Sequence, residues 1–86
     1  MTFQGAVIQE QGVRFAIIVV KPHVIQNSFT ARETIRGFQP AFPGIPVVLM
    51  AQNGRGTPTY YGRPDIAKFM ARVPIQAVPW RRFTIH

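Results

Sequence analysis

Val13-Arg14-Phe15-Ala16-Ile17-Ile18-Val19-Val20-Lys21-Pro22 is the stretch on which the fold turns. After Arg14 it is continuously apolar and largely β-branched, as expected for an internal strand covered on both faces. Pro22 cannot donate to a ladder, so Lys21-Pro22-His23 ends that strand. The apolar run from Phe15 to Val20 is far too short to span a bilayer, which takes about 20 residues of helix.

Upstream, Phe3 to Gln9 forms a first strand, with Ala6 and Ile8 on one face and Gly5, Val7 and Gln9 on the other. Glu10-Gln11-Gly12 is short and polar, and Gly12 can take a positive φ, so a hairpin joins the two strands. Downstream, a helix carries Ala31, Ile35 and Phe38 at helical spacing, with Arg32, Glu33 and Arg36 on its wetter side. Its start has three candidate caps: Asn27, Ser28, or Thr30 with Glu33 completing a capping box. Gly37 and Pro40 mark its end. Phe38 to Pro46 is too hydrophobic for a free linker and is expected to fold back over the core.

The remainder reads as a second hairpin, a second helix and a last strand. Val47 to Ala51 is a buried strand, and Asn53-Gly54 is a turn signal to which Gly56 adds room for a bulge or longer loop. Thr57 to Tyr61 is its short partner, which Pro58 places at an edge. Pro64 suits the first position of a helix, Asp65 its positive end, and Ile66, Phe69, Met70 and Val73 its buried stripe. Pro74 stops it, and Trp80 to Ile85 is a last strand. Residues 1–86 are thus one small α+β domain. The expected order is β-β-α-β-β-α-β: a two-layer α/β sandwich, with a mixed or antiparallel sheet and two helices on one face. Hairpin followed by helix occurs twice, at residues 3–38 and 46–73, a weak internal echo.

Gly44-Ile45-Pro46 before the apolar strand Val47–Met50, the Asn53-Gly54 turn, and Gly62 before a helix bearing Ile66, Phe69 and Met70 together resemble the C-terminal half of the thioredoxin-like fold. The resemblance covers residues 44–69 and implies a cis bond at Ile45–Pro46. The family's Cys-x-x-Cys is missing, because the chain has no cysteine, and so is the usual strand between its active-site helix and cis proline. Its redox chemistry is therefore excluded, as are disulfides and cysteine-ligated metals.

Ten Lys or Arg against three Asp or Glu give a formal charge of +7, a field that draws nucleic acid, an acidic protein or a lipid headgroup surface. No signal peptide is indicated, which makes the cytoplasm the default location. For catalysis, His23, Ser28 and Thr30 are close in sequence, but they read as a surface histidine and helix-cap residues. The three acids and two histidines have no metal-ligand spacing. Asn53-Gly54-Arg55-Gly56 lacks the ending of a P-loop and its following helix. No catalytic residue, metal or cofactor is assigned, and an enzyme is disfavoured.

Single-stranded nucleic acid is commonly held by exposed aromatics beside arginines. Arg55, Tyr60, Tyr61 and Arg63 supply that mixture around the second hairpin, with one tyrosine facing water and the other in the core. Arg81 and Arg82, beside Trp80, form a second patch. The alternative is protein interaction, including a homodimer, through apolar residues of the proline-rich segments or the edge strand Thr57–Tyr61.

Overall fold

The computed structural model describes residues 1–10 and 12–85. Five strands form one mixed sheet: β1 (Thr2–Glu10), β2 (Val13–Val19), β3 (Val47–Gln52), β4 (Pro58–Tyr61) and β5 (Arg81–Thr84). Their spatial order is β4-β3-β2-β1-β5. β1 is antiparallel to both neighbours, β2 and β3 are parallel, and β3 and β4 form an antiparallel hairpin. Between them lie α1 (Pro22–Gln26), α2 (Ser28–Phe38) and α3 (Pro64–Met70), with 3-10 turns at Gln39–Ala41 and Ile75–Ala77. The α+β class, the mixed sheet and the order of principal elements agree with the sequence pattern.

The placement of the helices does not. Phe15, Ile17, Val48 and Met50 pack with Ile66 and Met70 of α3. Their neighbours Ala16, Ile18, Val47 and Leu49 pack instead with Ala31, Ile35 and Phe38 of α2. Successive strand residues point to opposite faces, so α2 and α3 cover opposite sides. The arrangement has three layers, not the expected two. The reason lies in β2, whose residues Phe15 to Ile18 are all buried: a central strand apolar on both faces needs a cover on each. The β2-α2-β3 crossover supplies one. The connection from edge strand β4 to the far edge at β5 spans roughly 19 Å, four strand spacings, and supplies the other through α3.

Local differences have equally local causes. Pro22 does not merely end β2. It opens the short α1 at a first-turn position, where its missing N–H costs nothing. Asn27 then breaks α1 from α2 and caps α2, its Oδ1 accepting from the Thr30 N–H at 3.0 Å. Of the three candidate caps, Asn27 is the one used. The Phe38–Pro46 segment folds back as expected. Phe42 is buried, and Gln39 Nε2 donates to the carbonyls of Phe42 (2.9 Å) and Ile45 (2.7 Å). No peptide bond among the described residues is cis, which corrects the expectation at Ile45–Pro46. The trans bond leads the chain straight into β3, where the Pro46 carbonyl accepts from the Ala16 N–H at 2.9 Å and opens the parallel pairing.

In the first hairpin Gly12 takes φ +80°, while Gln11 lies outside the described residues. β5 closes the sheet with an aromatic cluster on the α2 face. Phe3 stacks on Phe83 at 5.3 Å and meets Phe38 edge-on at 4.8 Å, and Phe42 meets Phe83 edge-on at 5.5 Å. Beyond its buried area, each such pair is worth about 0.5–1.5 kcal/mol.

Gly5 lies close against the β2 backbone: a Cβ there would clash with the Ile17 carbonyl oxygen. Gly5→Ala is therefore expected to destabilise the domain by about 1–3 kcal/mol. Gly37, near the end of α2, has open space at the same position, so Gly37→Ala should stabilise by up to about 1 kcal/mol. Urea unfolding midpoints moving in opposite directions check the pair.

Candidate nucleic-acid interface

The β3–β4 loop is organised by Asn53. Its N–H donates to the Thr57 carbonyl at 3.0 Å, and its Oδ1 accepts from the N–H groups of Arg55 (2.9 Å) and Thr57 (3.0 Å). Gln52 Nε2 donates to the Gly56 carbonyl at 2.9 Å, and Gly56 takes φ +81°. Asn53-Gly54 thus starts a longer loop rather than a two-residue turn, and Arg55 is exposed at its tip.

Tyr60 and Tyr61 project to opposite faces, as neighbours in a strand must, and neither is a free stacking platform. Tyr60 packs against the α3-side core, and Tyr61 against the α2-side core. The expectation of one exposed and one core ring is corrected: both rings are partly buried, each against the core on its own side of the sheet, while Thr59, which precedes them in the strand, is exposed. The Tyr60 hydroxyl is enclosed, with no hydrogen-bond partner among the described residues. Burial pushes the phenol above its ordinary pKa.

Arg63 precedes α3 and forms a two-pronged pair with Asp65, Nε to Oδ1 at 2.8 Å and one terminal nitrogen to Oδ2 at 2.9 Å. Bidentate geometry makes this the best-formed ion pair of the domain, although both side chains are half-exposed. The Arg63 hydrogen bonds are the largest influence on Asp65 and hold its carboxyl below the usual aspartate range. Arg55 and Arg63 lie beyond opposite ends of β4, whose four residues span about 13 Å of strand.

Arg81 and Arg82 lie on β5, at the other edge of the sheet, so the two arginine patches are not brought together. Arg81 stands over the Phe83 ring, 5.8 Å from its centroid. Arg82 lies across from Gln4 and, with Thr2 and Phe3, lines an open depression of about 410 Å³. Trp80 is turned inward, its Nε1 donating to the Ile75 carbonyl at 3.0 Å. Its ring packs against the α3-side core and is only partly exposed.

The exposed aromatic is Phe29, with 65% of its surface accessible. It sits in the first turn of α2, with Arg32 three residues on and Arg36 seven residues on. The signal was legible, because Phe29 falls off the Ala31-Ile35-Phe38 stripe. Glu33 and Arg36 approach at 3.7 Å with both side chains largely exposed, a pair worth under about 1 kcal/mol. Apart from Arg36 and Arg63, no Lys or Arg among the described residues has a carboxylate partner.

Among the described residues no helix is long and apolar enough to cross a membrane, and no three His, Asp or Glu gather as metal ligands. The chain matches no family model, no curated protein and no solved structure.

Two measurements check the local chemistry. Asp65 should titrate by NMR below the ordinary value of about 3.9, and Arg63→Gln should move it upward. Because its folded pKa is depressed, Asp65 contributes stability above the unfolded pKa, and this is lost as pH falls through the folded value. The stability gap between wild type and Asp65→Asn should close over that acid range. Tyr60→Phe removes an unpartnered buried hydroxyl, so unfolding should show stability unchanged or raised by about 1 kcal/mol.

Proposed function

We propose that this domain binds single-stranded nucleic acid chiefly through phosphate contacts, with Phe29 as a stacking ring. The observation that carries the reading is a +7 chain whose cations are mostly unpaired, with one exposed aromatic beside two of them. On α2, Arg32 lies one turn from Phe29, a neighbouring position on the helix surface. Arg81 and Arg82 supply a second contact on β5, and Arg55 a third at its loop tip. Arg63 contributes less, because Asp65 already neutralises it. Tyr60 and Tyr61 support the sheet rather than touch bases. A cytoplasmic location belongs to the same reading.

Fluorescence anisotropy with a labelled oligonucleotide tests it. Wild-type affinity should fall linearly with the logarithm of salt concentration. Arg81→Ala with Arg82→Ala should flatten that slope by roughly 1.4, about 0.7 per phosphate on a single strand. Phe29→Ala should cost about 1–3 kcal/mol, the worth of one stacked base, with the slope unchanged. Absence of salt-dependent binding by the wild type overturns the proposal.

A further inference from the structure

β1 runs from Thr2 to Glu10, but β5 pairs only with Thr2 to Gly5. Among the described residues, the outer edge of β1 beyond Gly5 therefore has no strand partner. Which groups it presents follows from hydrogen bonding elsewhere. Ala16 and Val20 donate to β3-side carbonyls, those of Pro46 and Met50, so Phe15 and Ile17, at the intervening parity, face β1. Ile8 and Ala6 are their partners in the register and turn inward. Val7 and Gln9 must then direct their N–H and C=O groups outward. The exchange between Met1 and Ile85 gives the same parity independently, since Met1 also faces the β5 side. Among the described residues, neither Val7 nor Gln9 has a partner on that side.

Depressions flank this half-edge on both faces. On the α3 side a groove of about 300 Å³ runs between the consecutive residues Val7 to Glu10 and a wall that includes Phe69, Met70, Val73 and Val78. Consecutive strand residues line one groove only when it runs along the strand's edge. On the α2 side Val7 borders a second depression, about 250 Å³, with Arg14, Phe42 and Ile45. An added strand would find backbone partners at Val7 and Gln9 and a space for side chains on each face, the requirements for strand-addition recognition.

We infer that the free half-edge of β1 receives an extended segment of an acidic partner protein, paired to Val7 and Gln9. A residue opposite Ile8 would point into the α3-side groove and should be apolar. Residues opposite Val7 or Gln9 would point to the α2 side, where Arg14 is the only charged group among the described residues of the depression and Arg81 adjoins across from Gly5. Those positions favour Glu or Asp. A second copy is the weaker occupant: it would bring its own Arg14 and a further +7 charge against this one. The inference shares only Arg81 with the proposed nucleic-acid contacts; Val7, Gln9 and Arg14 take no part in them.

The test uses a blocked heptapeptide of alternating Glu and Val, titrated into isotopically labelled protein. The Val7 and Gln9 amides should shift, and their hydrogen exchange should slow at least tenfold. Gln9→Pro removes an outward N–H that β2 does not use, so it should weaken binding at least tenfold, as should Arg14→Glu. If Gln9→Pro does not fold, a peptide N-methylated along its pairing edge replaces it and should bind at least tenfold more weakly to wild type. A Lys-Val peptide should bind at least tenfold more weakly than the Glu-Val one. Three results overturn the inference: peptide-induced shifts confined to other amides, equal binding by Gln9→Pro or the N-methylated peptide, and protection of Val7 and Gln9 by protein concentration or an oligonucleotide instead of peptide.

Discussion

The rest of the structure depends on burying β2 on both faces. Phe15 and Ile17 point one way, Ala16 and Ile18 the other, and all four are inaccessible or nearly so. A strand with no polar face is stable only between two covers. In a chain of 86 residues those covers must be small. α2, α1 and the Phe38–Pro46 segment form one. The other is the seven-residue α3 with the turn that follows it. The connection from β4 to β5 has to cross the sheet in any case, so the second cover requires no additional element.

The same economy leaves the surface incomplete where cover runs out. β5 is four residues long and β1 nine, so the sheet is closed at one end of β1 and open at the other. The closed end is held by Phe3, Phe38, Phe42 and Phe83, with Met1 and Ile85 exchanging backbone hydrogen bonds outside them. At the open end the outward backbone groups of Val7 and Gln9 have no partner among the described residues and lie beside apolar walls. The β4 edge is different. Its alternation turns Pro58 and Tyr60 outward, and Pro58 has no N–H to offer. That edge is blunted in the way natural sheets resist strand addition.

Most elements were legible because their signals are local. The two hairpins, the Pro64 start of α3 and the inward turn of Phe38–Pro46 follow from glycine, proline and apolar spacing within a few residues. So does the off-stripe position of Phe29. The site residues were less legible. Arg63 looked free because its pairing with Asp65 is a matter of side-chain geometry at a helix start. Tyr60 and Tyr61 looked like one exposed and one buried ring because a strand viewed alone has two unequal faces. The layer on each side of β4 gives each ring a partial cover. Trp80 looked like part of an arginine patch because sequence neighbours on a strand do not reveal which side holds the core.

The sequence by itself determined the order of elements, the edge position of β4, the need to cover β2 on both faces and the excess positive charge. These are properties of a residue and its near neighbours. Tertiary structure alone decided that α2 and α3 take opposite faces, that Ile45–Pro46 is trans, and that Arg55 and Arg81 stand at opposite edges. It also decided that β5 stops short of Val7. Each depends on which distant strands pair, and the pairing energy of a strand is shared between partners that one segment cannot specify. The unpaired half-edge of β1 is the clearest case: it is a difference between the lengths of two strands that lie side by side only after folding.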